Sequence, residues 1–191
     1  MLRRLLLLGH CVALIAACAA DPAAMRQTLD AKTGSTVNVP AAPMVLFASV
    51  YRSTPVAAFA YLGPFDVDRM GMHTLFLWLL VPDELPSTAP LLQCDGKTLD
   101  LAVQSNVLEE LGISQPPYQP PYSWGRQWYY LLSNDALRCL AQAGAIGVRT
   151  ASDNAQAEAA QFLAKSVAPA GGFALFKKFA AERNGASASD H

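Results

Sequence analysis

The sequence predicts an α+β domain: a mostly antiparallel sheet of about five to seven strands, with helices inserted late and a helical C-terminal portion. Three observations carry that expectation. Met72 to Val81 is the strongest strand pattern, with His73, Leu75, Leu77, Leu79 and Val81 on one face and Met72, Thr74, Phe76, Trp78 and Leu80 on the other. Asp95-Gly96 separates two apolar runs, a strong short-range hairpin signal. Helix caps and helix-forming composition appear only from Ser105 onward.

Strand patterns begin at Met44. Met44 to Tyr51 is apolar and partly β-branched, and it stops at the turn cluster Arg52-Ser53-Thr54-Pro55. Val56 to Leu62 is a second strand, stopped by Gly63-Pro64. Because both faces of Met72 to Val81 are apolar, this strand is expected to be central and covered on both sides. Leu91 to Cys94 and Lys97 to Val103 flank the Asp95-Gly96 turn, with Leu99, Leu101 and Val103 toward the core. A short helix follows from the Ser105 cap to Leu111 and stops at Gly112. Ser114 to Arg126 is irregular and holds four of the 13 prolines. Gln127 to Leu132 is a strand again, with Trp128 and Tyr130 pointing inward and Tyr129 the other way. Ser133 caps a helix over Asn134 to Ala143, whose apolar face is Ala136, Leu137, Leu140 and Ala143. After a strand at Ala145 to Arg149, the remainder reads as helix, from Ser152 or Asp153 to about Val167 and again from Phe173 to Arg183.

The first twenty residues have a different logic. Arg3 and Arg4 hold that end on the cytoplasmic side, and Leu5 to Ala17 is apolar but shorter than the roughly 20 residues of a membrane span. Charge, a short apolar run and then Ile15-Ala16-Ala17-Cys18 follow in the order of an export signal. The tetrapeptide resembles the lipobox of bacterial lipoproteins, in which small residues admit the peptidase and the cysteine thiol receives lipid. The resemblance implies a signal peptide over 1–17, acylation of Cys18, and, with Ala19-Ala20 next, sorting to the outer membrane with the domain facing the periplasm. Simple secretion by cleavage in Ala17-Cys18-Ala19 is the competing reading. Residues 18–43, rich in Ala, Thr, Ser and Pro, are expected to be a tether, 44–183 a single domain, and 184–191 a flexible tail.

Removal of residues 1–17 leaves 12 basic side chains against 15 acidic ones, a net charge near −3 that argues against nucleic acid as a partner. With Cys11 cleaved away and Cys18 consumed by lipid, Cys94 and Cys139 remain in an oxidising compartment. A Cys94–Cys139 disulfide is the simpler expectation, and two buried free thiols the other.

Signatures of chemistry are sparse. There is no Gly-x-Ser-x-Gly elbow, no His-Glu-x-x-His and no phosphate-binding glycine loop, so neither catalytic residues nor cofactors are assigned. Asp66 and Asp68 share one face of an extended segment, but an isolated D-x-D is a weak cation signal and no metal is expected. The segment 116–130 interleaves proline with aromatic rings, and Tyr118, Tyr122, Trp124 and Arg126 are its candidate contacts for an envelope protein or glycan. Alternatively, those rings plug one end of the sheet. The leading expectation is a non-enzymatic envelope lipoprotein, anchored in the membrane by its lipid, that binds a protein or supports an assembly. The alternatives are a hydrolase or carbohydrate-active enzyme working near Asp66, Asp68 and His73, and a carrier of a small ligand. Replacing Cys18 by Ala is expected to abolish membrane association, read by envelope fractionation, while leaving export intact; undiminished association would overturn the anchor.

Overall fold

The computed structural model describes residues 21, 23–50, 59–82, 88–123, 125–150, 161–165 and 172–188. The signal peptide, Cys18, Trp124 and the end of the expected tail lie outside these residues. The chain forms one ten-stranded sheet of β1 (Met25–Asp30), β2 (Ser35–Pro40), β3 (Met44–Val50), β4 (Phe59–Arg69), β5 (Met72–Pro82), β6 (Leu91–Cys94), β7 (Lys97–Thr98), β8 (Gly125–Leu131), β9 (Ala145–Arg149) and β10 (Gln161–Lys165). Every pairing is antiparallel. The helices among the described residues are α1 (Asn134–Gln142), α2 (Gly172–Ala188) and a 3-10 turn at Leu108–Leu111.

This corrects the α+β expectation. The architecture is predominantly antiparallel β, with ten strands in place of five to seven and no helical C-terminal portion made of successive helices. Residues 161–165, read as part of a helix, form β10 between β3 and β9. Phe162 and Ala164 are buried while Gln161 and Leu163 are less so, a period of two that the surrounding alanines mask. Pairing on both edges overrides the helix propensity of the composition.

The tether expected over 18–43 is corrected too. Met25–Asp30 and Ser35–Pro40 pair along their whole length, and Val37 and Val39 are buried. The turn between them is held by Asp30, whose Oδ1 accepts the Lys32 and Thr33 amides, and by Gly34 at φ 72°. Nor does Gly63-Pro64 end a strand, because β4 continues through both. One edge of β4 pairs with β3 over 59–62 and with β2 over 66–68. Residues 63–65 have no strand partner on that edge, and the Pro64 carbonyl instead accepts the Tyr118 hydroxyl at 2.7 Å. A proline lacking its N–H costs least in such a gap.

The central-strand expectation for β5 agrees with the fold. It pairs with β4 and β8, and from Leu75 to Pro82 it is buried. Leu75, Leu77, Leu79 and Val81 enter one core with Tyr130, Phe162 and Ile146, closed by Leu137 and Leu140 of α1 and Leu175, Phe176 and Phe179 of α2. Phe76, Trp78 and Leu80 enter a second core with Phe65 and Tyr129, closed by Leu111, Ile113 and Tyr118. A bridge from Val103 to Tyr130 brings the segment after β7 onto β8, so the circuit of strand pairings closes on itself. The Asp95-Gly96 hairpin forms as expected, with both residues at positive φ (49° and 79°). Cys94 and Cys139 are joined by a disulfide across a 6.3 Å Cα separation, tying β6 to α1.

Burial pushes the phenols of the second core and its rim upward: Tyr122 and Tyr129 to about 12, Tyr118 well above the ordinary 10.0, and Tyr130 on the opposite face upward as well. The stability these groups contribute is complete below pH 10 and is lost as pH rises from there through the folded values near 12. Alkaline titration followed by phenolate absorbance and circular dichroism is expected to show these tyrosines ionising together with unfolding. Full ionisation near pH 10 with the fold intact would contradict the burial.

Candidate functional site

The polar side chains of the sheet converge at one place. Asp66 of β4 stands opposite Asn38 of β2, and Asn38 opposite Gln27 of β1, so the three project from one face in a row across the strands. Two residues beyond Asp66, Asp68 stands opposite His73 of β5. This is the face that carries Leu62, Leu75 and Leu77, so the cluster continues the first core into a polar rim.

Asp66 is the centre of it. Only 7% of the residue is exposed. Oδ2 accepts the Nδ1–H of His73 at 2.7 Å and an N–H from the Asn38 amide at 3.3 Å. Oδ1 accepts from Nη1 of Arg183 at 3.4 Å. Burying a carboxylate costs several kcal/mol unless donors replace its water, and three donors do so here.

Arg183 arrives from α2. Phe176, Phe179, Ala180 and Arg183 recur at helical spacing, so docking Phe176 and Phe179 in the core carries the guanidinium onto the carboxylate. On the other side, the two-residue Met70-Gly71 turn joins β4 to β5 with φ of 57° and 80°. Asp68 Oδ1 accepts the Gly71 amide at 2.8 Å, which fixes the turn.

These elements wall a cleft of about 460 Å³, lined from β1 by Met25, Arg26 and Gln27, from the sheet by Asn38, Asp66, Asp68 and His73, and from α2 by Phe179, Glu182 and Arg183. The volume lies in the range of small-ligand sites. With Nδ1 engaged on Asp66, the His73 ring leaves Nε2 for the cleft, and the side chain is 43% exposed. Among the described residues the lining contains no Ser, Thr, Cys, Lys or Tyr side chain. Among the described residues no group of three His, Cys, Asp or Glu side chains is placed to hold a metal ion.

Sequence reasoning named Asp66, Asp68 and His73, and the structure brings them to one cleft. It missed Asn38 and Arg183. Asn38 sits in the alternation Thr36-Val37-Asn38-Val39, a strand signal within a stretch read as tether. Arg183 follows Phe176 by seven residues, the spacing that puts it on the buried face of the helix.

The aromatic-proline segment is placed differently. Tyr118 is only 1% exposed and stacks on Trp78 at 5.1 Å, so it presents no surface to a partner. A Cβ at Gly63 would collide with its ring, so the close approach requires glycine. Tyr122 is half-buried and donates its hydroxyl to the Phe59 carbonyl at 3.1 Å. Arg126 is half-buried in β8, opposite Val81. Tyr118, Tyr122 and Tyr129 thus pack in the second core, while Trp128 and Tyr130 belong to the first.

No family model, no curated protein and no solved structure matches the chain, so the site is read on its own geometry. Asp66→Ala is expected to cost about 1–3 kcal/mol of stability by urea denaturation, because it strands the donors of His73, Asn38 and Arg183. Amide exchange in α2 is expected to accelerate first; an unchanged α2 would show that Arg183 does not hold the helix.

Proposed function

We propose that the chain is an acylated envelope protein whose domain faces the periplasm and works by binding, with the Asp66–His73 cleft as the place where a small polar ligand is held. The single observation that carries the cleft reading is the 2.7 Å contact between a buried carboxylate and a half-exposed imidazole in the wall of a 460 Å³ cleft. A sheet rim has no structural need of three polar side chains gathered on one buried carboxylate, and a site for a ligand does. The lipobox residues Ile15 to Cys18 supply the anchor, and Ala19-Ala20 favour the outer membrane. A role for the domain in assembly with another envelope protein rests on the same anchor, but Tyr118 and Tyr122 serve packing rather than contact.

The same pair favours a second reading. A carboxylate that orients an imidazole is the arrangement of a general base, and Nε2 would take the proton of an attacking water. Hydrolysis by this pair would proceed by direct attack of that water.

Thermal shift and imidazole resonances of the full chain, titrated with phosphoesters, amino sugars and short peptides, test both. Binding is expected to raise the melting temperature and move the His73 ring signals, and His73→Ala to abolish the ligand-dependent rise, measured against its own ligand-free midpoint. Silence across the panel would overturn the cleft reading. Conversion of a compound to products, lost in His73→Ala, would transfer the site to the second reading.

A further inference from the structure

The path from the anchor to the cleft is short. Ala23 is 4% exposed and packs in the first core, and Asp21 is tied to α2 by an ion pair with Lys178 at 3.2 Å. Lys178 is the residue before Phe179, which lines the cleft. Cys18 lies three residues before Asp21 and five before Ala23. Extended chain covers at most about 3.6 Å per residue, so the acylated residue stands within about 11 Å of Asp21 and about 18 Å of Ala23. From Ala23 the chain passes directly into Met25, Arg26 and Gln27, which wall the cleft. On the acylated reading, the bilayer surface lies within that reach of the wall that β1 gives the cleft.

The β4–β5 turn, outside the lining and at the end of the strands away from Ala23, is also exposed and apolar. Met70 is 94% exposed and Met72 is 68% exposed, on the β4–β5 turn between Asp68 and His73. Arg69 is exposed beside them. Apolar side chains at a turn tip next to an arginine are the pattern of an element that enters a membrane interface.

The lining carries both signs of charge, with Arg26 and Arg183 among Asp66, Asp68 and Glu182, and two apolar side chains, Met25 and Phe179. A ligand of one sign would meet repulsion within the cleft, whereas one that holds a phosphate and an ammonium a few ångströms apart meets partners for both.

From these placements we infer that the cleft takes the zwitterionic headgroup of a phospholipid drawn from the membrane that anchors the protein. The inference rests on the acylated, ligand-binding reading above. His73 and the arginines face the phosphate, Asp68 and Glu182 the ammonium, and the acyl chains stay in the bilayer along the methionine turn.

Full-length acylated protein, extracted in mild detergent, is examined by native mass spectrometry for retained phosphatidylethanolamine. One lipid per protein is expected, and His73→Ala and Glu182→Gln are each expected to retain about tenfold less, as loss of one charge-assisted hydrogen bond implies. Glu182 is exposed, so its variant remains informative even where His73→Ala disturbs folding. Equal retention by wild type and both variants would place the lipid around the acyl chains and overturn the inference. A second arm titrates soluble phosphoethanolamine against the His73 ring signals. Binding there with no retained lipid would overturn the membrane source while sparing the cleft; no binding in either arm would overturn both.

Discussion

The burial of β5 on both faces is the constraint that the remaining structure answers. Seven consecutive apolar residues, Leu75 to Val81, leave no face for water. A sheet containing such a strand needs two covers, and the chain supplies them by different means. On one side α1 and α2 lay leucines and phenylalanines against the leucine face. On the other, no α-helix among the described residues takes part. A 3-10 turn and an aromatic loop stiffened by prolines fill the space with Leu111, Ile113 and Tyr118, and Gly63 lets the tyrosine ring lie directly on the strand backbone. The proline-rich segment thus makes sense as a rigid cover, whose order costs little entropy to impose.

What the sequence made legible follows the strength of its local signals. β5, the Asp95-Gly96 hairpin and the Ser133 cap announce themselves within a few residues each, and each is found where expected; Ser133 accepts the Ala136 amide at 3.1 Å. The misread elements are those decided by distant partners. β10 is a strand because β3 and β9 flank it, and alanine-rich composition says the reverse. β4 runs through Gly63-Pro64 because its partner on one edge changes from β3 to β2 at that point. β1 and β2 hide in a polar stretch because β1 is exposed over most of its length. The site divides the same way. Asp66, Asp68 and His73 lie within eight residues and were visible as a group, while Asn38 and Arg183 come from 28 residues before and 117 after Asp66.

Asp66 also joins site and fold. The carboxylate that orients His73 receives Arg183, and Arg183 belongs to the helix that closes the first core. Whatever alters the charge or partners of the cleft therefore acts on the seating of α2, and through Lys178 and Asp21 on the segment before β1.

The hairpin tip at Asp95 holds a last consequence. Asp95 Oδ1 accepts the amides of Gly144 and Ala145, and its own amide donates to the Ala145 carbonyl, so the turn after Cys94 is pinned just beyond the end of the helix that carries Cys139. None of these bonds involves sulfur. In a chain still reduced, these bonds would already hold the two thiols side by side, at a local concentration that thiols of other molecules cannot match. Oxidation would then seal a contact that the backbone had chosen.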